Sequence, residues 1–239
     1  MRILITNDDG INAPALPHLV KWASNLGDVV TIAPKYEQSG KSHGIELHRR
    51  IEAKLVDLGT GTRVYSVDST PADCIRFATM GLKESFDLVI SGINRGYNLG
   101  NDIVYSGTVG AIFEGMSNGI KGVALSTHEN SFAHAVESLD EVWNIILTQK
   151  LFEQNNLYNI NIPEGSHKGF RFTKQGGPYY TDEFVHDGND MYSLAGVISH
   201  RDISDLGVDI NAVLNGYISI TPLSSERTNM TVLEKLTGH

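Results

Sequence analysis

One cysteine, Cys74, stands in 239 residues. That excludes an intrachain disulfide framework and any zinc site built from several thiolates. No block of lysine and arginine exists: 19 basic residues face 28 acidic ones, for a formal net charge of −9. A binder of nucleic-acid backbone normally shows a basic patch, so a nucleic-acid polymer is a poor partner for this chain. No apolar run approaches the length that spans a bilayer, and no charged segment followed by an apolar one opens the chain. The reading is therefore a cytoplasmic protein without a membrane partner. The nine histidines contain no His-x-x-x-His pair, so a helical imidazole metal site is absent. The glycine-rich segment around residue 107 lacks the Gly-Lys-Ser/Thr of a Walker loop. No Gly-x-Gly-x-x-Gly follows the first strand, which argues against a dinucleotide site.

What remains, at 41% hydrophobic and 20% charged, is an ordinary globular composition. Strand and helix patterns alternate through the first half. Residues 2–6, 28–34, 87–91 and 122–126 read as buried strands. Residues 14–26 and 108–118 read as helices, and Thr70-Pro71-Ala72-Asp73 opens another, with a Thr70 cap and Pro71 behind it. Residues 132–154 read as one long amphipathic helix. The alternation predicts an α/β fold with a mostly parallel sheet and helices on both faces. In the second half, 169–175 and 191–199 read as strands of a projecting hairpin, 205–215 as helix, 217–223 as a returning strand, and the last residues as a short helix or arm. No linker separates two domains.

The first strand ends in Asn7-Asp8-Asp9-Gly10. Adjacent carboxylates at the end of a buried strand repel unless a cation lies between them. Open α/β sheets bind ligands at the carboxyl ends of their strands, where this motif falls. The plain alternative is a helix cap by one Asp and solvent for the other. Three further loops reach the same edge: Gln38-Ser39-Gly40-Lys41-Ser42, Ser91 to Asn98, and Tyr105-Ser106-Gly107-Thr108. Asp8, Asp9, Ser39 and Asn94 together make a hard, all-oxygen donor set suited to Mg²⁺ or Mn²⁺. Taken singly, Ser39 and Asn94 are ordinary turn residues. Ser106, Gly107 and Thr108 open a helix, whose free N–H groups and dipole favour a phosphate, and Asn98 offers another donor. A simple helix cap explains Ser106 or Thr108 equally well in isolation.

With Gly216-Tyr217-Ile218-Ser219-Ile220-Thr221-Pro222-Leu223 added, these motifs run in order along nearly the whole chain, and the sequence resembles the SurE family of metal-dependent 5′/3′-nucleotidases. The resemblance implies a Rossmann-like core over residues 1–154 and a hairpin, returning strand and arm over 155–239 within a single domain. It implies Asp8, Asp9, Ser39 and Asn94 as ligands of one divalent metal per subunit, with Asn98, Ser106, Gly107 and Thr108 on the phosphate. It implies exchange of hairpin and arm between subunits, hence a homodimer or homotetramer. The expected reaction is hydrolysis of nucleoside 5′- and 3′-monophosphates by a metal-activated water, with Asp8 and Asp9 carrying the chemistry and no separate base identified. A haloacid-dehalogenase mechanism is disfavoured, because Asp-Asp-Gly lacks the Asp-x-Asp-x-Thr spacing. Two other readings use the same residues: a non-catalytic nucleotide- or metal-binding regulator, and a short-chain exopolyphosphatase.

Overall fold

In the computed structural model, which describes residues 1–200 and 203–238, a nine-stranded sheet forms the centre of the molecule. Its strands are β1 (Arg2–Thr6), β2 (Asp28–Pro34), β3 (Ala53–Val56), β4 (Arg63–Val67), β5 (Leu88–Arg95), β6 (Lys121–Thr127), β7 (Leu157–Ile162), β8 (Phe170–Phe172) and β11 (Ile218–Leu223). A separate two-stranded hairpin pairs β9 (Tyr180–Gly188) with β10 (Met191–Ile198). The helices are α1 (Leu16–Ala23), α2 (Pro71–Arg76), α3 (Gly107–Ser117), α4 (Phe132–Glu137), α5 (Leu139–Thr148), α6 (Leu151–Gln154), α7 (Asp209–Leu214) and α8 (Met230–Thr237).

The sheet order is β3-β4-β2-β1-β5-β6-β7-β11-β8. The run from β4 to β7 is parallel, whereas β3 and β11 lie antiparallel to β4 and β7. Alternation along β1 shows why both faces must be covered. Ile3 and Ile5 enter a cluster with Leu16, Leu19 and Val20 of α1 and with Leu139, Val142 and Ile146 of α5. Leu4 enters the opposite cluster, with Cys74 and Ile75 of α2 and Val109 and Ile112 of α3. Each of these aliphatic side chains contributes about 1.5–3 kcal/mol when fully buried. The chain leaves β1 to one side for β2 and reaches β5 on the other, so the crevice of the sheet opens at the carboxyl ends of β1 and β5.

Two expectations change. The stretch 132–154 is three helices: the chain turns at Ser138, then takes a left-handed conformation at Lys150, with φ 51°. That turn lets the segment fold back and feed β7. The hairpin is also built differently. Phe170–Phe172, expected within it, joins the main sheet beside β11, and Tyr180–Gly188 pairs with β10 instead. The Asn189-Asp190 turn, with φ 49° and 59°, closes it. Among the described residues, no helix is long and apolar enough to cross a membrane.

Candidate active site

The turn after β1 is braced by its own first residue. Buried Asn7 donates from Nδ2 to the Gly10 carbonyl at 2.9 Å and accepts the Gly10 N–H at 3.1 Å. This small ring fixes the backbone and sends Asp8 and Asp9 to different neighbours. The Asp8 carbonyl also accepts the Gln38 N–H at 2.7 Å, which ties the loop carrying Ser39 to the same turn.

Asp8 is almost fully buried and points at the start of α3. Its Oδ1 accepts the Thr108 hydroxyl at 2.7 Å and its Oδ2 accepts the Thr108 N–H at 3.2 Å. Burial pushes its pKa up, and the two Thr108 bonds pull it back. A helix N-terminus favours a carboxylate through its free N–H groups and dipole. Gly107 is a steric requirement of this contact, since a Cβ there would lie 3.0 Å from the Asp8 Cβ. Thr108 was expected to offer its hydroxyl to a phosphate. In this structure its hydroxyl proton is given to Asp8.

Asp9 turns toward β5. Its Oδ2 accepts the Arg95 N–H at 2.9 Å. Burial is the main cause that raises its pKa, to about 6; the neighbouring Asp8 charge adds to this and the Arg95 N–H opposes it. Asn94, one residue before Arg95, donates from Nδ2 to the Gly96 carbonyl at 2.8 Å, leaving the amide oxygen as its acceptor. Exposed Ser39 donates its hydroxyl to Glu37 Oε1 at 2.7 Å. Among the described residues, no group of three or more His, Cys, Asp and Glu side chains could hold a metal. The donor set at this edge is of another kind: two carboxylates, an amide oxygen and a hydroxyl. Its chemistry fits a hard divalent cation, and burial raises the pKa of both carboxylates.

Ser106 caps α3, its Oγ accepting the Val109 N–H at 3.0 Å. That bond uses a lone pair and leaves the hydroxyl proton for a ligand. Asn98 is buried, and its Nδ2 donates to Ser126 Oγ at 2.7 Å. The second Nδ2 hydrogen is its remaining donor.

Sequence reasoning missed a second, charged cluster behind the site. Glu114 of α3, nearly buried, accepts from Arg76 of α2 at 3.2 Å and contacts His43 at 2.8 Å. The His43 bond is the main reason its carboxyl stays below the usual range. His43 lies in the segment that follows Ser39. Ser42 is fixed beside it, its N–H donating to Tyr105 O at 2.9 Å and its hydroxyl to Val104 O at 2.6 Å. No local motif could reveal these partners, because each comes from a distant element. The amide residues Asn159 and Asn161, both fully buried, were missed as well. Their signal was visible: two asparagines alternating inside the apolar run Leu157–Ile162.

A Rossmann-like sheet with an oxygen-donor crevice beside a helix N-terminus is the architecture of an α/β phosphate-handling protein. The sequence profile described as "Survival protein SurE" matches residues 3–182, and the chain belongs to the SurE family. A protein of Desulforudis audaxviator named 5′-nucleotidase SurE is 39% identical over 247 residues, covering 99% of this chain and 96% of its own. Its namesake from Caldanaerobacter subterraneus subsp. tengcongensis is 37% identical over 252 residues, with the same coverage. The crystal structure of the SurE protein from Aquifex aeolicus superposes with a TM-score of 0.82 at 32% identity, covering 100% of this chain and 99% of that one.

Proposed function

We propose that this chain is a 5′-nucleotidase that hydrolyses nucleoside 5′- and 3′-monophosphates to nucleoside and phosphate. The observation that carries the reading is the placement of Asp8 and Asp9 at the carboxyl edge of the sheet, one against the α3 N-terminus and the other against the β5 loop. Near-full-length relatives named 5′-nucleotidase support it.

Asp8, Asp9, Ser39 and Asn94 would hold one divalent cation, Mg²⁺ or Mn²⁺. When bound, that ion would supply charge neutralisation and Lewis-acid polarisation of phosphate and water. The chain's own residues do the rest. Thr108 holds the Asp8 carboxyl in place and opposes the upward push of burial on its pKa. Asp9 orients the attacking water by accepting its hydrogen bond, with the water in line with the leaving ribose oxygen. The Ser106 hydroxyl and the Asn98 amide donate to the non-bridging phosphate oxygens and stabilise the charge that develops there. Gly107 lets the ligand and Asp8 approach the same backbone. The protein acts in the cytoplasm as a homodimer or homotetramer, with hairpin and arm as contacts.

The test is phosphate release from adenosine and guanosine monophosphates, in 5′ and 3′ forms, with Mg²⁺ or Mn²⁺. Full activity in EDTA would remove the metal from the reading. Full activity of Asp9→Asn would remove the site.

A further inference from the structure

Strand β7 is apolar on one face and carries two amides on the other. Tyr158, Ile160 and Ile162 enter the core cluster shared with α1 and α5. Asn159 and Asn161 turn the other way and are completely buried. Primary amides inside a sheet are costly unless they are hydrogen-bonded. Both here are directed at a single residue. Asn159 Nδ2 and Asn161 Nδ2 donate to the Asn98 carbonyl at 2.8 and 2.9 Å, and Asn161 Oδ1 accepts the Asn98 N–H at 2.9 Å. The main chain of Asn98 is thus bonded on both sides by side chains 61 and 63 residues away. Two residues on, the Gly100 N–H is accepted by buried Asp209 of α7 at 2.9 Å.

The register extends this support to the rest of the site. Asn161 pairs with Ser126 of β6, which accepts from the Asn98 amide, and Ser126 pairs with Asn94 of β5. One polar row therefore runs across three strands from Asn94 to Asn161, beneath the loop that carries Asn98. On the far side of Asn161 the row continues to Ser219, which bonds with Thr173 at 2.8 Å.

We infer that Asn161 and Asn159 are positioning residues for the substrate's phosphate: they fix the Asn98 main chain at the height from which its side-chain amide meets a phosphate oxygen. The inference rests on the reading of Asn98 as a phosphate donor. A rigid donor loses no conformational freedom on binding, whereas a loose one must be ordered by the ligand.

The experiment compares Asn161→Ala, Asn161→Asp and Ser219→Ala with the unmodified protein. Asn161→Asp keeps the acceptor for the Asn98 N–H and sets an oxygen against the Asn98 carbonyl. Ser219→Ala removes a buried polar group from the same row without touching Asn98. Inorganic phosphate is the probe, read by titration calorimetry, together with KM, kcat and the Mn²⁺-induced shift in Tm. Both Asn161 variants should weaken phosphate binding and raise KM by about tenfold, the equivalent of one lost hydrogen bond of about 1.4 kcal/mol. Their Mn²⁺ shift should stay unchanged, and Ser219→Ala should leave phosphate binding as it was. If Asn161→Ala fails to fold, Asn159→Ala removes one donor and should weaken phosphate binding about threefold. Unchanged phosphate binding in the Asn161 variants, or an equal loss in Ser219→Ala, overturns the inference, as does an unmodified protein that binds no phosphate. A protein that binds phosphate but releases none from nucleotides removes the nucleotidase reading alone, because the calorimetric comparison still stands.

Discussion

Thr108 gives both its backbone N–H and its hydroxyl to Asp8, at 3.2 and 2.7 Å, so residues a hundred positions apart share one closed contact. The contact joins the first strand's carboxyl end to the positive end of α3. It also opposes the effect of burial, which raises the pKa of the carboxyl.

Thr108→Val keeps the shape and the N–H but removes the hydroxyl. A hydrogen bond to the charged form lowers a carboxyl pKa, so its loss raises the pKa of Asp8 further. The acid limb of kcat/KM should move to higher pH. Neutral-pH activity should fall about tenfold, the equivalent of a lost bond to a charged group of about 1.5 kcal/mol. A pH–rate profile with an unmoved acid limb would show that Asp8 does not need this hydroxyl.

Burial pushes the Asp9 carboxyl up to about 6. Its folded pKa lies above the unfolded carboxylate value, so between about pH 4 and 6 the folded state binds more protons. Stability should therefore rise as pH falls through that window and decline as pH rises through 6. Asp9→Asn removes the repulsion and should raise the neutral-pH Tm of the metal-free protein while abolishing hydrolysis. Calorimetry across pH checks the first outcome. A cation favours the ionised form, so adding Mn²⁺ should raise the Tm of the unmodified protein and shift its acid limb to lower pH. Asp9→Asn should show no such Mn²⁺ response.

Gly110 sits where α3 meets the segment after Ser39. A Cβ there would lie 2.6 Å from the Ser42 carbonyl oxygen and 2.9 Å from the His43 Cα, both backbone atoms with little room to move. Gly110→Ala should destabilise the fold by about 1–3 kcal/mol through overpacking. It should also weaken Mn²⁺ binding, because Ser39 rides on the displaced loop. Denaturant melts and metal titrations of the same variant test both. A destabilised protein with intact Mn²⁺ affinity would separate Ser39 from the metal site.

The parts of this molecule that were legible in sequence are those set by local rules. The Thr70-Pro71 start of α2, the apolar β1 and the Ser106 cap of α3 each follow from a few neighbouring residues. The edge strand β3 was not legible, because three of its four residues are exposed and lack the buried apolar run that marks β1. Nor was the break at Lys150, where an unbroken amphipathic pattern conceals a chain reversal demanded by β7. At the site, the carboxylates announced themselves by their cost. Asn159 and Asn161 showed as polar residues alternating inside an apolar strand, but their role did not, since an amide inside a strand acquires its meaning only from the loop it holds.

The hairpin poses the last test. All of β10 except the half-buried Ala195 is exposed, and Phe184 and Leu194, directly paired across the two strands, are 74% and 63% exposed. An isolated two-stranded hairpin is at best marginally stable in water, and an apolar surface of this kind marks a contact with another protein. Helix α8 repeats the pattern, with no buried residue and Leu236 at 79% exposure. A second copy of the chain would cover both. Placing Asp at 184 and 194 sets like charges opposite each other on that face and should shift the protein to monomer in light scattering. The Tm of the core should change little, because the hairpin is not hydrogen-bonded into the nine-stranded sheet. An assembly that survives both Phe184→Asp and Leu194→Asp does not use this face, and an unmodified protein that is monomeric at micromolar concentration has no need of it.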